Sequence, residues 1–462
     1  MAYGCWCNGK RIGGATIPPF TLLILTTILR DSGFEADFLD AQAEQISSST
    51  MQSIIPHYDV IVISSSTMTF NEDADYLEKL KRDNKDIITI VFGSHPTFMP
   101  TNCLSHDGID IIIKHEPEFI LRDLIDLMTR KEDFSHLKGI GFKKKDQIVV
   151  NENYPLIENL DEIPFPDVDL LPKGIDYYNP IVKRTPYITT TTSKGCPGKC
   201  SFCTAPAFDG KRVRFQSADY VIDELNYFIR KGIKEVYFRD DTFFVNKKRD
   251  YVVCEYIIKN NLDITWLANT RIDMIDEYTI QLAKRAGCHT IKIGVESGNQ
   301  EILNGIKKGY NLDQAHRVFE WARKAGMRTH AHVMIGNPGD TRETVAQTID
   351  FVINLNPTTA TFGICTPYPG TPLFQMVASR YPQIGDGSSS DLSKLHVEGL
   401  FNEYYTSLKK EELSRMVRMA YRNFYMRPVY WLHSIKWQLT SFDDIKRISI
   451  AATNIFDYIF RG

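Results

Sequence analysis

The chain has 462 residues, a formal net charge of −3, 43% hydrophobic and 24% charged side chains. Those values fit a soluble globular protein of two or three domains with sizeable cores. They exclude a chain-wide basic field of the kind that holds nucleic acid, and no run of about 18 apolar residues is present to cross a membrane.

In chain order, Pro18–Ser32 reads as a helix, opened by proline and stopped by Gly33. Glu35–Asp40 reads as a short strand. Asp59–Ser64, Ile87–Phe92 and Ile109–Ile113 are apolar runs of the length of buried strands. Helices are expected over Asn71–Asn84 and Glu118–Thr129. Strands alternating with helices imply a parallel, doubly wound sheet, so residues 1–135 are expected to form a Rossmann-like (flavodoxin-like) α/β domain. Residues 136–186 change character, with the run Lys143-Lys144-Lys145 and the proline-rich stretch Glu162–Asp167. They read as a hairpin and an extended linker, the lysines as a solvated face.

Residues 187–375 repeat a strand–helix pattern six times. The strands fall near Tyr187–Thr192, Glu235–Arg239, Thr265–Asn269, Thr290–Val295, Thr329–Gly336 and Thr359–Cys365, with amphipathic helices such as Ala218–Lys231 and Leu312–Ala325. Six units fall short of a closed eight-stranded barrel, so an open, partial (β/α)6 barrel is expected. Residues 376–462 read as helical and end rich in aromatics: Tyr421, Phe424, Tyr425, Tyr430, Trp431, Trp437, Phe456 and Phe460, with Arg418. They are expected to cap the barrel mouth. The sharper alternative is an interfacial surface making peripheral contact with a membrane or a lipid-like substrate. No basic recognition domain for RNA is found.

The nine cysteines are an odd number, and Met1 to Gly14 lack the charged segment and apolar run of a secretory signal. The expectation is a reducing, cytoplasmic compartment without a disulfide framework. Cys254 and Cys365 lie in apolar stretches and read as small buried hydrophobes. Cys5 and Cys7 read as loop residues facing a pocket. Cys196, Cys200 and Cys203 differ: they follow the first barrel strand in Gly195-Cys-Pro-Gly-Lys-Cys-Ser-Phe-Cys203, spaced C-x3-C-x2-C. Three thiolates on one short loop can hold three irons of a cubane, leaving the fourth iron for an external chelator. Structural zinc wants four protein ligands, often as CxxC pairs, and no second pair is present.

This segment resembles the signature of the radical S-adenosylmethionine (SAM) superfamily, C-x3-C-x-aromatic-C, with Phe202 in the aromatic position. The resemblance implies a [4Fe–4S] cluster whose fourth iron is chelated by the amine and carboxylate of SAM. It implies that one electron, from an external donor of flavodoxin or ferredoxin type, cleaves SAM to methionine and a 5′-deoxyadenosyl radical that takes a hydrogen from the substrate. It also implies SAM contacts at the carboxyl ends of later strands. Asp240 and Asp241 would meet the amino group. Asn269 and Arg271 would meet the carboxylate or ribose, arginine being the better carboxylate partner. Glu296 and Ser297 fall at the ribose position, and Gly336, in Met334–Gly339, near adenine. Each of these residue types also serves in caps and turns; their placement, one group per strand end, favours a site. His330 and His332 alternate in strand five and face one side, which suits hydrogen bonding inside the barrel better than a metal pair. Tyr368–Pro372 reads as a rigid loop at the mouth.

The domain order resembles the subgroup in which a cobalamin-binding Rossmann-like domain precedes the barrel. The residues that carry it are Pro18-Pro19, the loop with Ser64, Ser65 and Thr67, the turn Gly93-Ser94-His95-Pro96 and, loosely, His115–Glu118. Such loops at the carboxyl ends of parallel strands form a ligand crevice. The motif D-x-H-x-x-G is absent and His95 is not in that context, so cobalamin is expected base-off without a histidine ligand. The sheet's first strand is expected to be missing, because Met1–Cys7 looks like the loop that follows it. The implied reaction is methylation of an unactivated carbon of a small-molecule or lipid-like substrate: one SAM methylates cob(I)alamin and a second generates the radical. The alternatives are a radical oxidoreductase or cyclase of the tetrapyrrole kind and a non-catalytic iron–sulfur protein. A methylthiotransferase would carry a further N-terminal cysteine triad and a C-terminal RNA-binding barrel.

Overall fold

In the computed structural model, β1 (Val60–Ser64), β2 (Ile88–Phe92) and β3 (Ile111–Ile113) pair in parallel. Their β-branched, apolar sequences suit a sheet buried on both faces. Helices Phe20–Asp31 and Pro117–Thr129 cover one face through Leu25, Ile120, Leu121 and Leu124. Helices Phe70–Asp83 and Pro100–Leu104 cover the other through Phe70, Ala74, Leu77 and Cys103. The structure describes residues 15–145, 147–385, 392, 394–395, 399–428, 430–431 and 442–461. Cys5, Cys7, Trp437 and the place of the expected first strand lie outside the described residues.

Two expectations are corrected in this domain. The hairpin is no separate linker element: β4 (Ile140–Lys144) and β5 (Gln147–Val150) extend the same sheet antiparallel to β3, in the order β1-β2-β3-β4-β5. Phe142 and Ile140 belong to the core under helix Pro117–Thr129, which is why the hairpin docks. Residues 35–40 form no strand. This segment carries three carboxylates around one aromatic, Phe38. Its polar groups are taken locally, with Arg30 Nε donating to Ala36 O at 2.6 Å and Tyr58 OH to Asp37 at 2.6 Å.

The six expected barrel strands are present: β6 (Tyr187–Thr190), β9 (Glu235–Phe238), β10 (Thr265–Thr270), β11 (Cys288–Glu296), β12 (Arg328–Ile335) and β13 (Thr359–Ile364). A short antiparallel pair, β7 (Ser193–Lys194) with β8 (Arg214–Phe215), follows the first of them. The six strands are all parallel in the order β13-β12-β11-β10-β9-β6, and β6 does not pair with β13, so the barrel is open. Their outer faces, including Phe238, Trp266, Ile291 and Val333, are buried under the intervening helices. Ser217, Asn246, Asp276, Asn311 and Thr341 each cap one of those helices by accepting from a first-turn N–H, an interaction worth about 1 kcal/mol apiece. Cys254 and Cys365 are buried, as expected of small hydrophobes.

The described part of the C-terminal region meets the strand ends, with Asn402 donating to Gly336 O at 3.1 Å and Cys365 O at 2.9 Å, and continues along the outer wall. Helix Lys410–Tyr425 lies on the outer wall of the barrel: Tyr425 OH donates to Ala360 O of β13 at 2.7 Å, and Tyr421 and Phe424 pack on Phe362. Leu413, Val417, Ala420 and Phe424 form one apolar stripe. That stripe covers the outer face of the last strand. Helix Phe442–Arg461 packs on it through Tyr458 against Tyr421. Among the described residues no helix is long and apolar enough to cross a membrane.

Candidate functional site

The β7–β8 pair closes residues 195–213 into a clasp just past the first barrel strand. Gly195 enters it at φ +97°, and a Cβ there would sit 2.6 Å from Arg212 O, so only glycine fits. Three backbone bonds tie the clasp down: Cys196 N–H to Gly210 O at 3.2 Å, Ser201 N–H to Ile306 O at 3.0 Å, and Leu373 N–H to Ser201 O at 2.9 Å. Cys196 and Cys200 are buried and Cys203 half-buried on this loop. Among the described residues no three His, Cys, Asp or Glu side chains converge on a single ion. A cubane spreads its thiolates over three irons, so the donor set fits a cluster better than zinc. Burial pushes the Cys203 thiol up to about 12 and raises that of Cys196, with Asp241 adding to both. Their thiolates therefore form on metal binding rather than before it.

Around the cysteines the strand-end residues divide. Asp241 has a buried Oδ2 with no hydrogen-bond partner. Burial, then the charges of Asp209 and Asp240, pushes its carboxyl up to about 7. An orphaned acceptor beside the cluster loop suits the ammonium of SAM. Asp240 is fully buried and already engaged: it accepts from Thr192 N at 3.2 Å, Thr192 Oγ1 at 2.9 Å and Ser193 Oγ, and so fixes the turn into the clasp. Asn269 joins it, donating to Asp240 O at 3.1 Å and accepting from Tyr237 OH at 2.9 Å. Arg271, expected at the carboxylate or ribose of SAM, has four of its five N–H bonds taken within the protein. It holds Asp273 with two 2.8 Å bonds, Lys308 O at 2.6 Å and Cys200 Sγ at 3.3 Å.

Glu296 sits at φ +63° on a bulge of β11 and pairs with Lys308 at 2.7 Å; that ammonium lies 5.8 Å from the Phe202 ring. Ser297 is turned away, with Oγ on Thr348 Oγ1 at 3.1 Å. Gly336, at φ +81°, is backed by Leu413 and Asn402, whose side chains leave no room for a Cβ. His330 and His332 stack edge-on at 4.6 Å and bond to Thr359 and Thr361 at 2.7 and 2.9 Å. Burial, with the charge of Lys292 nearby, holds both well below the usual imidazole range, which agrees with a hydrogen-bonding role inside the barrel.

At the carboxyl end of β1, Ser65 Oγ donates to Asp73 at 2.7 Å, while Ser64 is exposed. Gly93 approaches Ser65 so closely that a Cβ would lie 2.4 Å from its carbonyl oxygen. Ser94 opens the next short helix. His95 is buried, stacks on Phe70 at 4.1 Å, and engages Thr67 at 3.3 Å and Asn102 at 3.0 Å through its two nitrogens. Burial lowers its pKa from 6.5 to about 4. The folded protein thus prefers the neutral ring, and protons favour the unfolded chain. The stability His95 confers is whole above about pH 6.5 and drains as the pH falls toward 4, by roughly 3 kcal/mol at the acid limit. Urea unfolding of wild type and His95→Gln across that window is expected to show the difference, the variant losing less stability on acidification.

These loops face the barrel mouth. Tyr368 OH donates to Met68 Sδ at 3.5 Å, and Gly370 packs on the Phe98 ring. An ion network missed in the sequence reading joins the two parts. Glu116 takes both Nη atoms of Arg214 at 2.9 and 2.7 Å, and Glu118 takes Lys194 at 2.5 Å. Arg214 also reaches Ile157 O and Asp209 O, and His115 reaches Phe208 O at 2.9 Å. Burial opposes the charge, but Lys194 and Arg214 hold Glu116 below the usual carboxylate range. The signal available was the acidic pair at the end of β3; its basic partners lie 98 and 76 residues away.

An open six-stranded barrel with three cysteines after its first strand, behind a doubly wound domain, defines a radical SAM protein with an accessory cofactor domain. The Radical SAM superfamily model matches residues 190–352 and the B12 binding domain model residues 13–125. The chain is 33% identical to the uncharacterized methyltransferase PH0819 of Pyrococcus horikoshii, over 91% of this chain and 90% of that one. It is 27% identical to the anaerobic magnesium-protoporphyrin IX monomethyl ester cyclase of Rubrivivax gelatinosus, over 80% of this chain and 68% of that one. The fold is shared with the radical SAM methyltransferase TsrM of Kitasatospora setae, solved with cobalamin and a [4Fe–4S] cluster. That match has a TM-score of 0.72 and 18% identity, and covers 95% of this chain and 96% of that one. The chain belongs to the cobalamin-dependent radical SAM methyltransferase family.

Proposed function

We propose that this chain methylates an unactivated carbon of a small molecule. The observation that carries this reading is the clasp of residues 193–215, which holds three cysteines at the barrel mouth while Glu116 and Glu118 bind it from the N-terminal domain. When bound, a [4Fe–4S] cluster, SAM and cobalamin supply reductive cleavage of SAM to a 5′-deoxyadenosyl radical and a transferable methyl group. Cys196, Cys200 and Cys203 hold the cluster. Asp241 accepts from the SAM ammonium, Glu296 lies beside the ribose, and the glycine backbone at 336 borders adenine. Asp240, Asn269 and Phe202 shape the walls, and Ser297 fixes the turn behind them through Thr348. Ser64, Ser65, Thr67, Gly93 and Ser94 border the corrin. His95 is spent on Thr67 and Asn102, so it would supply no ligand to a cobalamin held here, which we take to be bound base-off. Exposed Pro197 and Lys199 at the tip of the loop offer the approach for a flavodoxin- or ferredoxin-type donor.

Cyclisation is the second reading, favoured by the similarity to the Rubrivivax cyclase. Protein co-produced with cobalamin and reconstituted anaerobically is expected to form both 5′-deoxyadenosine and S-adenosylhomocysteine from SAM and dithionite. The first product without the second points to cyclisation. Neither, from cluster-replete protein, overturns the radical SAM reading.

A further inference from the structure

Cys200 has a charged donor: Arg271 Nη1 donates to its Sγ at 3.3 Å. The guanidinium is rigid. Asp273 grips Nε and Nη2 at 2.8 Å each, and Lys308 O takes Nη2 at 2.6 Å. It is also shielded, being buried behind Gly198, where a Cβ would stand 2.8 Å from Nη1 and 3.3 Å from Cys196 Sγ. The Lys308 ammonium, paired with Glu296, lies on the same side, over the Phe202 ring. A donor held this firmly has no freedom to turn toward a ligand that comes and goes. Of its five N–H bonds, three go to Asp273 and Lys308 O and one to the cysteine sulfur.

We infer that Arg271 is a redox-tuning residue that raises the reduction potential of the cluster through Cys200, and is not a carboxylate-binding residue. The inference rests on the proposed reading that the three cysteines hold a [4Fe–4S] cluster. Reduction adds one electron, from an external low-potential reductant, to the 2+ cluster and gives the 1+ cluster, with no bond made or broken. The added negative charge falls partly on the thiolate sulfurs, so a cationic donor to one of them stabilises the reduced form.

The test is an EPR-monitored potentiometric titration of reconstituted wild type, Arg271→Gln and Arg271→Lys, without SAM, with titanium(III) citrate as reductant. At a fixed potential, Arg271→Gln is expected to lower the reduced-to-oxidised ratio about tenfold, equivalent to about 59 mV for one electron. Arg271→Lys, which keeps the charge, is expected to fall between. Loss of cluster from Arg271→Gln with an unshifted potential in Arg271→Lys would mark a structural role and overturn the inference. So would cluster-replete Arg271→Gln at the wild-type potential. A SAM-carboxylate role would leave the potential unmoved and weaken SAM binding to the oxidised cluster. Wild type that takes up no [4Fe–4S] cluster at all would overturn the proposed function itself.

Discussion

Arg214→Met is expected to lower the free energy of unfolding by about 3–5 kcal/mol, the range for breaking one side of a buried ion pair. Arg214 and Glu116 side chains are each 3% exposed, so the orphaned carboxylate cannot recover its hydration. Lys194, at 3.6 Å, is a distant replacement already engaged by Glu118. The substitution also strips the carbonyls of Ile157 and Asp209 of their donor. The double variant Glu116→Gln/Arg214→Met is expected to recover much of the loss, because no uncompensated charge remains; urea unfolding in a double-mutant cycle measures the coupling. If the single and double variants are equally unstable, the guanidinium acts through its carbonyl contacts and not through the charge pair. A functional difference should accompany the structural one. Arg214 enters β8, which closes the clasp, while Glu116 belongs to the N-terminal domain. Freeing one from the other is expected to spare 5′-deoxyadenosine formation more than S-adenosylhomocysteine formation, since only the second needs both cofactors in register.

What could be read from the sequence was local. Each barrel strand is a short apolar run between helical patterns, so all six were legible, and the order of β-α units implied an open parallel barrel. Cys196, Cys200 and Cys203 lie within eight residues and announce their chemistry by spacing. What could not be read depends on distant partners. Glu116 finds Arg214 and Arg271 finds Cys200 only after the fold brings separate strand ends together. An arginine at a strand end carries no mark that says whether it will face a ligand, an aspartate or a sulfur. Residues 35–40 failed for the converse reason: a strand exists only when a neighbour pairs with it, and this segment's polar groups are taken by Arg30 and Tyr58. The amphipathic stripe of Lys410–Tyr425 told that the helix packs, not which face of the barrel it covers.

Cys200→Ala and Cys203→Ala are both expected to abolish cluster uptake, seen as loss of the iron–sulfur absorption after reconstitution, and with it all 5′-deoxyadenosine formation. Two thiolates leave a second iron of the cubane without its cysteine ligand. The two variants should nevertheless differ in the metal-free protein. Cys200→Ala removes the acceptor of a buried guanidinium, and a charged donor left without a partner costs about 1–3 kcal/mol. Cys203→Ala leaves the Arg271 guanidinium its acceptors on Asp273, Lys308 and Cys200, and removing a half-buried thiol that burial already keeps protonated is expected to cost less. Unfolding of the two apo variants, compared with Cys254→Ala as a buried cysteine outside the loop, separates the terms. Cys254→Ala should keep the cluster and lose only the stability of a small cavity. Equal apo stability of Cys200→Ala and Cys203→Ala would mean that the Arg271–Cys200 contact forms only with the cluster in place. Lower stability of Cys200→Ala alone would show that the chain aims this donor at one sulfur before any iron arrives.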